Sequence, residues 1–293
     1  MTAPITIGVP VFNEEARLAA CLENLAGQTF GDFRALVFDN ASTDSTGAIA
    51  RAFAAHDPRF SYVRQAANKG AMGNFADALA AADSAYFTWR AADDRSDLNY
   101  LEILHGLLEA DPSKSLAVGR TVGTFRGRVI RTTPFPPLKG DGGLADIWRL
   151  MFGASPSWFY GLYRREVLAA VMARAWGAFG NDGWASDFLV MLPFFMDAAV
   201  AGTNATTFEV ALRPRAGAPG QPPPPRTEPD LDARLALRRR FLAIAQGFVD
   251  ERAPPGPRRA LWAALLFLYA DRRVYKTRHI VRRSLKHLIG LRP

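Results

Sequence analysis

Two adjacent carboxylates, Asp93 and Asp94, with Asp97 three residues on, follow a β-favouring run, Tyr86-Phe-Thr-Trp-Arg90. At the carboxyl end of a strand in an open α/β sheet, such acids make a hard oxygen site suited to a divalent cation that bridges phosphates. The same residues also suit a helix start: Asp94, Ser96 or Asp97 could cap the helix expected from Leu98 to Ala110. The sequence upstream chooses between these uses.

Three earlier strand ends carry complementary groups. The expected strand Ile5-Thr-Ile-Gly-Val-Pro-Val11 ends at Phe12-Asn-Glu-Glu15. Phe33 to Phe38 stops at Asp39-Asn-Ala-Ser-Thr-Asp-Ser-Thr-Gly47, and Phe60 to Arg64 leads into Asn68-Lys-Gly70. A helix follows each: Ala16 to Ala26, with Leu18, Cys21, Leu22 and Leu25 at helical spacing; a second whose start Ser42, Asp44 or Ser45 could cap; and a third through Asn74 to Ala82. Strands alternating with helices predict a parallel, doubly wound α/β sheet. In such a sheet the loops after the strands lie along one edge, so Asn13, Glu14, Asp39, Asn40, Lys69, Asp93 and Asp94 should meet at one crevice. Amide and carboxylate for a base and ribose, a cation for phosphate and acids for a metal together suit a nucleotide. No GxGxxG follows the first strand and there is no GxxxxGK[ST], which disfavours dinucleotide oxidoreductases and P-loop phosphotransferases.

The chain of 293 residues is long enough for a large core, and its 49% hydrophobic and 22% charged content is that of a globular protein. The single Cys21 and four scattered histidines exclude a disulfide framework and a multi-cysteine zinc site. The net charge of +8 is local: from Arg252 to Pro293 eleven Lys or Arg face one acid, Asp271, and the rest of the chain sums to −2. A polyanionic partner would therefore meet the tail and not the main body.

Val9-Pro-Val-Phe-Asn-Glu-Glu15, Phe38-Asp-Asn-Ala-Ser-Thr-Asp-Ser-Thr-Gly47, Asn68-Lys-Gly70 and Trp89-Arg-Ala-Ala-Asp-Asp94, in this order and spacing, resemble the inverting family 2 glycosyltransferases of GT-A fold. The resemblance covers the first hundred residues and continues more weakly to about residue 215. It implies a GT-A, Rossmann-like, mostly parallel sheet flanked by helices. It also implies a nucleotide held by Pro10, Val11, Phe12, Asn13, Glu14 and Asp39, with Asn40, Lys69, Gly70, Arg90, Ala92 and Asp93 completing the crevice. The family's Asp-x-Asp metal motif falls on Arg90-Ala-Ala-Asp-Asp94, which puts Ala91 where the first aspartate is usual. Asp93 and Asp94 are then the expected ligands of Mg²⁺ or Mn²⁺, with Arg90 supplementing the charge.

Inversion by single displacement needs a second carboxylate to deprotonate the acceptor hydroxyl. In the family that base precedes an apolar helix after a variable loop. Asp187, before Phe188-Leu-Val-Met-Leu192, matches best, and Asp182 is the second candidate. Leu116 to Val122 and Arg128 to Thr132 are expected strands. Pro134 to Gly143 is expected to be an acceptor-side loop that orders on binding. Trp158 and Tyr160 are candidates to stack on sugar, with an aromatic core as the competing use.

Residues 1 to 213 are thus expected to form the GT-A domain, 214 to 229 a Pro-rich linker and 230 to 293 a basic C-terminal helical appendage. Ala260 to Ala270 is uncharged for eleven residues, short of the roughly 20 that span a bilayer. With Trp262, Tyr269 and the surrounding basic residues, the tail is expected to lie on an anionic membrane surface or to pack as a hairpin on the main body or a second subunit. The expected partners are a UDP-, GDP- or dTDP-type sugar donor and a glycan or lipid-linked acceptor, with a homo-oligomer as a further expectation and nucleic acid excluded. The absence of a basic n-region before an apolar stretch suggests a cytoplasmic chain, peripheral at the inner face of the membrane, serving cell-surface polysaccharide or glycoconjugate synthesis. Ala91 motivates the alternative: a catalytically inactive nucleotide-sugar-binding scaffold.

Overall fold

The computed structural model describes residues 3–179, 185–212, 231–253 and 255–274. The first half alternates strand and helix: β1 (Ile5–Val11), α1 (Leu18–Ala26), β2 (Phe33–Asp39), α2 (Thr46–His56), β3 (Phe60–Arg64), α3 (Gly70–Ala80), β4 (Tyr86–Trp89), a two-residue β5 (Arg95–Ser96) and α4 (Tyr100–Ala110). Then come β6 (Leu116–Phe125), β7 (Arg128–Thr133), α5 (Leu144–Gly153), a 3-10 turn at Pro156–Tyr160, β8 (Leu162–Arg164), α6 (Arg165–Phe179), α7 (Ser186–Met196) and β9 (Val200–Ala211). A helical pair, α8 (Leu231–Arg252) and α9 (Pro257–Arg273), follows.

The nine strands form one mixed sheet in the order β3-β2-β1-β4-β8-β6-β9-β5, with β7 on β6. The β3-β2-β1-β4 half is parallel, and chain order reverses between β1 and β4. Such a reversal opens a crevice beyond the strands' carboxyl ends. The two-residue side-chain period of the strands divides the core. Ile5, Ile7, Val9, Phe33, Ala35 and Val37 face α1, α2 and α4, while Leu36, Phe38, Phe87 and Trp89 face the other layer. With both faces covered, β1, β2 and β4 are apolar nearly throughout.

The second layer holds α3, α5, α6 and α7 together with the C-terminal pair. Phe241, Phe248 and Val249 of α8 and Trp262, Leu266 and Tyr269 of α9 join one core with α6 and α7. The Tyr269 hydroxyl donates to the carbonyl of Phe188 at 3.1 Å. The helical pair therefore packs on this second layer. Trp262 and Tyr269, expected at a membrane interface, are buried there instead, because the stripe Trp262, Leu266, Tyr269, Ala270 repeats every three to four residues and needs a partner.

The segment from Pro134 to Gly143 is tied to neighbouring elements by its own contacts. Asp146 accepts the backbone N–H groups of Lys139 and Gly140, both at 2.8 Å, and the Phe135 ring packs on Trp158 and over Gly202. The Pro-rich segment 214–229 and the tail after Val274 lie outside the described residues. Among the described residues no helix is long and apolar enough to cross a membrane.

Candidate functional site

The loops after β1 and β2 are laced to each other. Asn13, at φ 53°, accepts the Thr43 N–H at 2.9 Å and donates its own to the Ser42 hydroxyl at 3.0 Å. The Glu14 N–H goes to Thr46 Oγ1 at 2.7 Å, and Asp44 accepts from the N–H groups of Thr46 and Glu15. Asp44 thus takes the turn-closing role weighed for it in the sequence. Phe12 stands 43% exposed at the tip while Val11 is buried beneath it, with Pro10 between.

Asp39 is 0% exposed. Its oxygens accept from the Ser42 N–H at 2.8 Å, the Tyr62 hydroxyl at 2.6 Å and Arg64 Nη1 at 2.8 Å. Burial pushes its carboxyl up, but the hydrogen bonds from Ser42 and Tyr62 and the Arg64 charge outweigh that and hold it below the usual range. Gly47 permits the arrangement, since a Cβ there would stand 2.6 Å from the Tyr62 hydroxyl oxygen. The sequence assigns Asp39 to the nucleotide; in the structure its side chain shapes the loop.

Asn40 is likewise turned inward. Its amide donates to Asn68 Oδ1 at 2.9 Å and to the Gly70 carbonyl at 3.1 Å, and its oxygen accepts the Lys69 N–H at 2.8 Å. It ties the second loop to the third and leaves no side-chain donor for a ligand. Gly70 takes φ +75°, which a side chain would strain, and starts α3. The Lys69 ammonium is half exposed and rests on Asp77 at 2.6 Å.

The end of β4 separates its charges. Arg90, 2% exposed, donates to Asn24 Oδ1 at 3.0 Å and Ser96 Oγ at 2.8 Å, with its guanidinium 5.0 Å from the centre of the Phe208 ring. Burial pulls its pKa down, and Asp94, itself 3% exposed, opposes that as a nearby negative charge. Arg90 thus spends these donors on Asn24 and Ser96 in the interior, and Ala92 and Asp94 are buried as well. Asp93 is only half-buried. Burial pushes the Cys21 thiol up to about 12, and among the charges acting on it are Asp93, Asp94 and Glu14, so the acids of the first and fourth loops gather above α1. Among the described residues no group of three or more His, Cys, Asp or Glu forms a metal cluster.

Asp187 opens α7 and lines a cavity of about 530 Å³. Ala71, Met72 and Phe75 of α3 form one wall, Tyr160 and Phe159 another, and Arg273 of α9 closes it. Burial pushes the Asp187 carboxyl up to about 6, against the Phe188 N–H that it accepts at 2.8 Å and the charge of Arg273. Arg273 donates to the carbonyls of Met151 and Ala154 at 2.9 and 3.0 Å, and its guanidinium lies 4.4 Å from the centre of the Phe188 ring. Tyr160 lines this cavity, stacked on Phe208 at 5.4 Å. Trp158 does not: it is 1% exposed between Phe135 and Phe195, so the core use wins. Asp182 lies outside the described residues.

The sequence reading missed Phe75, Trp176 and Arg273 as cavity residues. Phe75 follows the Asn-Lys-Gly turn by one helical turn, a findable signal. Arg273 is one of nine basic residues near the tail's apolar run, and only its place four residues after buried Tyr269 marks it.

Residues 6–171 match the sequence model described as glycosyl transferase family 2. Glycosyltransferase GlyA of Streptococcus pneumoniae serotype 4 is 33% identical over 101 residues, 34% of this chain and 14% of that protein. The chain thus spans a small part of the length of that relative. Among solved structures, residues 1–349 of S. aureus TarS in complex with UDP-GlcNAc align with a TM-score of 0.66 at 15% identity over 91% of this chain and 72% of that one. The mannosyltransferase PcManGT of Pyrobaculum calidifontis, in complex with GDP-Man and Mn²⁺, aligns with a TM-score of 0.53 at 18% identity over 97% and 87%. These two likenesses show the GT-A fold, and the sequence match over more than half of the chain shows the rest: the chain belongs to glycosyl transferase family 2.

Proposed function

We propose that this chain transfers a sugar from a nucleotide-diphosphate donor to an acceptor hydroxyl with inversion. The observation that carries the reading is α3: its first residues belong to the loop that holds Lys69, and its next turn, Ala71 to Phe75, walls the cavity of Asp187. A phosphate-side cation and a carboxyl near pKa 6 therefore flank one short piece of helix. UDP-GlcNAc in TarS and GDP-Man in PcManGT support a nucleotide-sugar donor.

In this reading Asp187 takes the proton of the acceptor hydroxyl, and a pKa near 6 suits a base working near neutrality. Lys69 turns from Asp77 to the diphosphate. The exposed pair it leaves is worth about 0–1 kcal/mol, which charge-assisted bonds to phosphate exceed. Asn13, Asp39 and Asn40 fix the loops around the nucleoside. Asp93 would hold a divalent cation, and one accessible carboxylate suits Mg²⁺ or Mn²⁺, which take further ligands from water and phosphate. The cation's contribution is to offset the negative charge that builds on the departing diphosphate.

The acceptor is presented at a membrane surface in this reading. α9 turns Leu261, Phe267 and Leu268 outward between Arg258 and Arg272, and the sequence beyond adds Lys276, Arg278, Arg282, Arg283 and Lys286.

A thermal-shift screen of UDP, GDP and dTDP with and without Mn²⁺, followed by donor turnover, tests the reading. A cation-dependent rise with one nucleotide and nucleotide release from its sugar support it. No nucleotide release from any donor, with or without Mn²⁺, gives the inactive scaffold instead.

A further inference from the structure

A second apolar cavity of about 660 Å³ lies between α3 and α6, and Met72 and Trp176 line both it and the Asp187 cavity, so the two adjoin. We infer that this groove receives the hydrocarbon portion of a lipid-linked acceptor whose hydroxyl-bearing end sits at Asp187. The inference rests on the transfer reaction proposed above and names its acceptor class.

The two helices run in opposite directions along the groove. At one end Met72 faces Trp176; at the other Ala80 lies by Arg165. The eight steps from Met72 to Ala80 give a length of roughly 12 Å at the helical rise. That matches roughly eight to ten carbons of an extended chain with bonds of about 1.5 Å.

The lining chemistry decides between lipid and glycan. Ala76 and Ala169 keep the floor low, and Met72 and Met172 supply flexible, polarisable edges that adapt to an irregular chain. A saccharide in this trough would lose water from its hydroxyls and find no side-chain partners along the walls. The charged side chain at the far end, Arg165, already donates to the Ser84 carbonyl at 2.6 Å and lies 3.7 Å from Glu166. Polarity returns where the cavities meet: Trp176 carries a buried indole N–H without a hydrogen-bond partner, and Asp187 and Arg273 lie beyond it. A polar head with an apolar tail matches that order.

The test measures dissociation constants of n-alkyl β-glucosides, butyl to dodecyl and below their micelle concentrations, for the full chain by calorimetry. Affinity is expected to rise about two- to fourfold per added methylene, the range for partial to full burial, and to level off near eight to ten carbons. Ala173→Trp, which fills the trough from its exposed side, is expected to flatten the series. Affinity independent of chain length overturns the inference, as does a slope that survives both Ala173→Trp and Ala80→Arg. A glucoside-free Ala173→Trp protein that melts several degrees lower also overturns it, because the chain itself then fills the groove. Nucleoside diphosphate binding with Mn²⁺ is measured on the same samples. If it holds without a chain-length slope, the groove assignment alone fails; if it is absent, the transfer reading fails as well.

Discussion

The side-chain oxygen of Asn40 accepts the backbone N–H of Lys69 at 2.8 Å, so a residue at the end of β2 sets the position of the cation that follows β3. The two residues should respond differently to mutation. Lys69→Ala removes a half-exposed pair and should change stability by no more than about 1 kcal/mol, while donor affinity falls roughly 10- to 100-fold through loss of a charged hydrogen bond. Asn40→Ala leaves the Lys69 N–H without its acceptor, removes the amide's bonds to Asn68 and the Gly70 carbonyl, and should cost about 1–3 kcal/mol as well as donor affinity. Chemical denaturation beside nucleotide titration separates the two patterns. Equal stability losses would contradict them.

Asp187→Asn should abolish transfer and spare donor binding. It should also be more stable than the parent above pH 6. The folded-state pKa is raised to about 6 from an ordinary value near 3.8, so the charged form carries a penalty that is complete above pH 6 and relieved as pH falls towards 4. Thermal midpoints of the two proteins should therefore converge on acidification. A constant difference from pH 4.5 to 8 would be inconsistent with a half-buried Asp187 that titrates near 6.

Arg273 lowers the pKa of Asp187 while burial raises it, so removing the arginine should move the acid limb of the rate profile upward. Arg273→Met is expected to shift the inflection of kcat/KM from near pH 6 to a higher value. A profile left in place would mean that Arg273 supports only the carbonyls of Met151 and Ala154.

Leu261→Glu combined with Leu268→Glu places charges on the outward stripe of α9, and neither side chain is in the core. Co-sedimentation with phosphatidylserine vesicles at low salt should fall several-fold, with the thermal midpoint unchanged. Parent protein that ignores such vesicles would remove the membrane reading.

The parallel half of the sheet was legible because β1, β2 and β4 are buried on both faces and read as continuous apolar runs. β5 and β8, two and three residues long, exist through pairing with β9, β4 and β6, and such long-range registers leave little local pattern. α5 was passed over beside a Pro- and Gly-rich stretch, although Ile147, Leu150 and Met151 carry a helical spacing. In the site, residue types pointed to loops that the parallel strands bring to one edge of the sheet, but a sequence does not show where a polar atom spends its bonds. Asp39, Asn40 and Arg90 have side chains that a nucleotide could use, yet their hydrogen bonds commit them to the protein. In the tail, basic composition does not distinguish the outer surface of α9 from the inner one, where Tyr269 and Arg273 lie.

The hydrogen bond from Tyr269 to the Phe188 carbonyl, with Arg273 beside Asp187, has a consequence for synthesis of the chain. The nucleotide loops are made within the first hundred residues, whereas the last wall of the cavity arrives more than 170 residues later. A nascent or prematurely terminated product would carry the donor side of the site without a closed acceptor side. On the proposed mechanism, such a product would leave an activated sugar open to water. On that mechanism, closure of the acceptor side therefore waits on synthesis of α9.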